Sequence, residues 1–160
     1  MILAHEFGHQ LQFTFGLPSE RETTARAGEL EADGMAGYYL RKPNGFNATT
    51  FTTIAAAYEF AASIGDNQTT SPNHHGTAAQ RRSAVRLGFL LADPANGSLT
   101  ATNFDYNFFY YYTGVKNGTY RQAKPAGYSS KMEQIIKLHE DELRRIINGE
   151  MSDEEYFNLK

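Results

Sequence analysis

Residues 4–11 read Ala4-His5-Glu6-Phe7-Gly8-His9-Gln10-Leu11, a His-Glu-x-x-His pattern that constrains everything after it. On an α-helix, positions i and i+4 share a face, so His5 and His9 can aim their imidazoles at one point. Two neutral imidazoles make half of a tetrahedral zinc shell. Glu6 falls beside the open position, where it can take a proton from a bound water. The chain has no cysteine, so thiolate ligands and disulfides are excluded and any metal must be held by His, Asp and Glu. The same spacing also serves two solvent-facing histidines on an ordinary helix, so a third ligand has to be found.

Glu29-Leu30-Glu31-Ala32-Asp33 supplies candidates on a second helix, reached through the turn-forming Gly16-Leu17-Pro18-Ser19. Glu29 and Asp33 are i and i+4 and share a face, whereas Glu31 points roughly 200° away from Glu29. Glu29 is the simplest ligand, with Glu31 the alternative. Asp33 would then accept the other ring N–H of a ligand histidine, fixing its tautomer and raising its basicity. Without the upstream histidines these acids would read as a solvated helix face.

These residues resemble the neutral zinc metallopeptidase family, gluzincin-type proteins with H-E-x-x-H followed by a glutamate from an E-L-x-A-D segment. The likeness takes in His5 to Gln12, Glu29 to Gly37, Ala55 to Asp66, and His75-Gly76-Thr77-Ala78-Ala79-Gln80-Arg81 with Gly88-Phe89, in the family's order over roughly residues 1–95. A weaker likeness is to the CAAX prenyl protease family, which also has E-x-x-A-D and a later histidine six residues before an arginine, as His75 and Arg81 are here.

The resemblance implies a zincin-like metallopeptidase core whose metal-binding helix follows a sheet. Only Met1-Ile2-Leu3-Ala4 precede His5, so that sheet lobe is expected to be missing and the core N-terminally truncated. The class is mainly α as the chain stands, and α+β with the lobe. Some relatives carry an N-terminal membrane anchor, so a membrane-associated or extracytoplasmic location goes with a longer parent. By the same resemblance, His75 reaches the cleft from outside the metal shell and donates a hydrogen bond to the oxyanion; its plainer use is as a capping or surface histidine. Arg81 either braces an acid of the second helix or joins Arg82 and Arg86 in a solvated face.

The 160 residues, 41% hydrophobic, suit one domain with a real core. A formal charge of −3 and a pI near 5.9 argue against nucleic acid as the main partner, because phosphate binding needs a basic stripe. No run of about 18 apolar residues is present to span a bilayer, and nothing ahead of the motif reads as a signal peptide.

Along the chain, a first helix over 2–15 is expected to turn Ile2, Phe7, Leu11 and Phe15 to the core and to stop at Gly16-Leu17-Pro18. A second, capped by Ser19 or Thr24, runs to about Arg41, with Gly28, Gly34 and Gly37 allowing close approach. A third runs from about Thr49 to Ile64, and a fourth from roughly Thr77 to Leu91 follows a polar segment that delivers His74 and His75. The aromatic cluster Phe104, Tyr106, Phe108, Phe109, Tyr110, Tyr111 and Tyr112 suits strand pairing or a packed cap over the core. Gly114 to Gly127 reads as loop, with a hairpin signal at Asn117-Gly118. An amphipathic helix from about Ser130 to Asn148 carries a stripe that includes a structural His139 and stops at Gly149, and Ser152 to Glu155 form a capping box for a last short helix. Residues 1–95 are thus the metal-binding helical core, and 96–160 an aromatic segment and C-terminal helical extension packed on the same domain.

The expected function is zinc-dependent hydrolysis of a peptide or protein substrate by a metallopeptidase, with zinc on His5, His9 and Glu29 and with Glu6 as general base. The alternative is a non-catalytic zinc-stabilised interaction module, in which the metal staples helices and the aromatic segment binds a partner.

Overall fold

Helix α2, Arg26–Arg41, packs against both the first helix, Ile2–Phe15, and the helix Ala78–Leu91. A computed structural model describes residues 2–55, 59, 63 and 65–160. The chain is mainly α. The other described helices are α1 (Ile2–Phe15), α3 (Thr52–Ala55), α4 (Ala78–Leu91), α5 (Ala101–Asn117), α6 (Ser130–Leu138), α7 (Glu140–Ile147) and α8 (Asp153–Phe157), with a 3-10 turn at Pro94–Asn96; α6 and α7 pack on α4, and α8 on α3. No strand occurs among the described residues. Of the third helix expected over 49–64, residues 56–58, 60–62 and 64 lie outside the described residues.

The centre of α2 is buried on all sides, from Leu30 through Gly37. A helix so enclosed needs small residues where its neighbours' backbones come close. A Cβ added to Gly88 of α4 would overlap the Gly34 carbonyl oxygen, and one on Gly37 would overlap the Val85 carbonyl oxygen. Helix α4 starts cleanly, with Thr77 and Gln80 forming a reciprocal capping box. Helix α2 has no such cap: it begins after Ala25, Thr24 Oγ1 accepts only a long 3.4 Å bond from the Arg26 N–H, and Ser19 is used elsewhere.

The aromatic segment is a helix, not a strand. Thr100 caps it, and Gly118 ends it in the left-handed conformation, so the turn expected at Asn117-Gly118 closes a helix rather than a hairpin. Phe104, Phe108 and Tyr112 stack at i and i+4, with ring centroids 5.7 and 5.6 Å apart. Phe108 lies directly over Gly34. Strand preference in aromatics reflects fit to a half-buried surface, and a buried helix stripe meets the same need.

Helix α1 corrects a second expectation. Its buried residues are Ala4, His5, Gly8 and Gln12, while Ile2, Phe7 and Phe15 stay about half exposed and Leu11 is half-buried. The single helix expected over 130–148 is two, broken at His139, whose N–H bonds back three residues to Ile136 O. Met132, Ile136, Leu143 and Ile146 are nonetheless all buried, and His139 stays structural, its ring against Glu142. Gly149 is the expected positive-φ stop, and Ser152 with Glu155 forms the expected capping box. One buried cluster draws Leu30, Met35 and Leu87 together with Phe108, Met132 and Leu143, so residues from both sides of position 95 share a core. No described helix is long and apolar enough to cross a membrane.

The α2–α4 crossing has no room for a side chain at its closest point. Gly88→Ala is expected to cost about 1–3 kcal/mol, read as a lower urea midpoint with an unchanged slope. An unchanged midpoint would show that the two backbones can part freely.

Candidate metal centre

Helices α1 and α2 cross at Gly8, where an added Cβ would sit 3.0 Å from Ala32 Cα. That approach holds the buried face of α1 against the first turns of α2. His5 and His9, one turn apart, therefore come to stand over Glu29. Their Nε2 atoms are 3.0 Å apart. One Glu29 carboxylate oxygen is 3.4 Å from His5 Nε2 and the other is 3.3 Å from His9 Nε2. With metal–ligand bonds of about 2.0–2.1 Å, the corners of a tetrahedral zinc shell stand about 3.3 Å from one another. The triangle of donors has that size, and two imidazoles with one carboxylate suit zinc. Among the described residues this is the one cluster of three potential metal ligands.

Behind His5, Asp33 Oδ1 accepts the Nδ1 hydrogen at 2.9 Å. Asp33 is fully buried and is gripped by Arg81 of α4, with Nε at 2.6 Å and Nη2 at 2.9 Å. Arg81 Nη2 also lies 3.6 Å from Glu29. Arg81 is thus a buried brace and not part of a solvated face. Arg86 is buried as well, bonded to Glu142 and to the Lys160 carbonyl, while Arg82 reaches Asp153 and Glu59 nearer the surface.

Behind His9 lies Gln12, whose Oε1 is 2.8 Å from Nδ1 and whose Nε2 donates to Gly28 O and to Glu31. Glu31 is fully buried and turned away from the donor triangle toward Asp105 of α5, whose Oδ1 accepts the Ser19 N–H. Glu29 therefore faces the histidines and Glu31 does not. A proton held between the two acids would satisfy Glu31 Oε1 and Asp105 Oδ2, buried oxygens with no other partner among the described residues. Gln12 was within reach of sequence reasoning, since it lies one turn beyond His9 on the same face. Asp105 carried no signal at all.

The charges reinforce one another. Burial lowers the His5 pKa, but the hydrogen-bonded Asp33 and Glu29 carboxylates outweigh it and hold it up at about 9. The Glu29 carboxylate likewise raises His9. Burial would raise Glu29 itself, but its bonds to both rings keep it well below the usual carboxylate range. Glu31 moves the other way, to about 9, pushed up by burial and by Asp105. The donor set is an anionic carboxylate with two rings that attract a cation, whether proton or metal.

Glu6 is exposed on α1, one residue from His5. His75 stands outside the donor triangle, half-buried, with its main-chain N–H bonded to Asp66 at 2.9 Å and its Nδ1 3.3 Å from the same carboxylate. Its neighbour His74 is buried, with Nδ1 2.6 Å from Asp66. The two histidines thus order the 66–76 loop around Asp66. Compared with family models, curated proteins and solved structures, the chain finds no match in any of the three.

His5 and Glu31 both keep a proton in the fold up to about 9, above ordinary values of 6.5 and 4.5. Their contributions to stability are whole below those ordinary values and are lost as pH rises toward 9. In chelator-treated protein the melting temperature should therefore fall between pH 6.5 and 9, less steeply in Glu31→Gln. Zinc, which needs a neutral His5, should bind more tightly across the same window. A flat melting profile in the parent would contradict the assignment of both protons.

Proposed function

We propose that this chain carries the helical core of a zinc-dependent peptidase of the neutral zinc metallopeptidase type, acting on a peptide or protein substrate. The observation that carries the reading is the donor triangle of His5, His9 and Glu29, sized for a zinc shell and adjoining an exposed glutamate one residue along the helix. His5, His9 and Glu29 would hold the ion. When bound, zinc supplies Lewis-acid polarisation of a carbonyl and acidifies a water. Glu6 is the proton carrier, taking the proton of the attacking water and delivering it to the leaving nitrogen. Asp33 and Arg81 keep His5 in register, its Nδ1 hydrogen committed so that Nε2 presents its lone pair. His75, whose Nδ1 lies 3.3 Å from Asp66, is the proposed donor to the oxyanion.

A second reading, a zinc-stabilised module that binds a partner without catalysis, is favoured by one observation. The outer side of α1 bears Leu3 at 83% and Phe13 at 89% exposure, with Ile2, Phe7 and Phe15 around half. The aromatic segment, by contrast, is mostly core, so in this reading the partner surface is α1.

One set of variants separates the readings. On the peptidase reading, Glu6→Ala keeps stoichiometric zinc by elemental analysis and loses about 100- to 10,000-fold in cleavage of a fluorogenic peptide mixture. Glu29→Ala loses zinc. Parent protein that holds zinc and cleaves no better than Glu6→Ala supports the interaction module, and Glu29→Ala with unchanged zinc affinity sends the third ligand elsewhere.

A further inference from the structure

We propose that Gln12 is the positioning residue for His9, fixing by its own orientation which ring nitrogen faces the metal; the proposal rests on the zinc reading of His5, His9 and Glu29. A glutamine amide can sit either way round, and here the main chain decides. The Gly28 carbonyl oxygen can only accept, and the Gln12 nitrogen lies 2.7 Å from it. The second amide hydrogen goes to Glu31 Oε2 at 2.8 Å. Both donors are committed, so the oxygen end must face His9, 2.8 Å from Nδ1. A carbonyl oxygen donates nothing, so Nδ1 has to carry the hydrogen. In the neutral ring that a metal requires, the lone pair is then on Nε2, the atom that stands against His5 Nε2 and Glu29.

The polarity of a backbone carbonyl on α2 is passed through one side chain to the ligand atom of a histidine on α1. Moving the His9 proton to Nε2 would set two acceptors face to face, and turning the ring over would put a carbon in place of Nδ1 and lose the hydrogen bond, inside a site where Gln12 is only 8% exposed. His5 gets the same service from Asp33, but a carboxylate accepts by either oxygen and needs no orienting. An amide does, and Gly28 O with Glu31 does the orienting. The position is demanding of residue type. Asparagine lacks the reach, a hydrocarbon side chain has neither end of the relay, and a glutamate would put a third carboxyl beside Glu31 and Asp105.

The test uses the full chain as parent, Gln12→Met, which keeps the length and removes the amide, and Gln10→Met as an exposed control on the same helix. Zinc affinity is read by chelator competition, and the His9 ring by two-bond nitrogen–proton spectra of the zinc-loaded protein. The expected result is a slowly exchanging Nδ1 hydrogen on His9 in the parent. Gln12→Met should bind zinc about 10- to 100-fold more weakly and exchange that hydrogen rapidly, with Gln10→Met like the parent. Gln12→Met with parental affinity and an unchanged ring signal overturns the proposal and leaves the zinc reading standing. So does a parent spectrum with the His9 proton on Nε2, which needs no variant to fold. A parent that takes up no zinc overturns the zinc reading, and the role of Gln12 falls with it.

Discussion

Asp33 is a carboxylate with no access to water, and the positions of three helices follow from what that requires. A buried anion is tolerable only where cations and donors answer it, and removing one partner typically costs several kcal/mol. Arg81 supplies a two-pronged contact from α4, and His5 a ring N–H from α1. The anion on α2 thereby ties α1 and α4 to the same point on its axis. The glycines make this possible. Gly8 lets α1 settle on Ala32, and Gly34 and Gly88 let α4 approach until backbone meets backbone. Bulkier residues there would pull the charges apart before any pair could form.

The carboxylates of α2 divide the work by angle. Glu29 and Asp33 look toward α1 and α4 and build the donor triangle and its support. Glu31, turned away, reaches α5 through Asp105 and is linked to the triangle by way of Gln12. Residues 96–160 are in this sense part of the site's foundation: the aromatic helix fills the space beneath α2 with Phe108 and sets an acid against Glu31. Helix α1 carries opposite characters on its two sides, with ligands and small residues inward and Leu3 and Phe13 outward. That contrast keeps two functional readings alive for one fold.

What could be read from the residues was the part governed by near neighbours. The i, i+4 spacing of His5 with His9 and of Glu29 with Asp33 implied shared faces, and the faces do meet. Gly149 and the Ser152–Glu155 box announced their helix boundaries, because capping is satisfied within a turn of chain. Apolar pattern was a weaker guide. Phe7 and Phe15 promised a core-facing stripe, yet α1 packs through Ala4 and Gly8, since only small residues permit the crossing that brings the histidines to Glu29.

By itself, then, the sequence determined helices at the motif-bearing stretches, a set of nitrogen and oxygen donors without sulfur, and which acids share a face with which. The tertiary structure alone decided that the aromatic run coils into a buried helix, that Arg81 and not solvent answers Asp33, and that Gln12 stands between His9 and Glu31. The division has a physical cause. Backbone hydrogen bonding and capping act over a few residues and leave their mark in local order. Burying a charge or an aromatic ring is settled only when segments far apart in the chain have excluded water from between them.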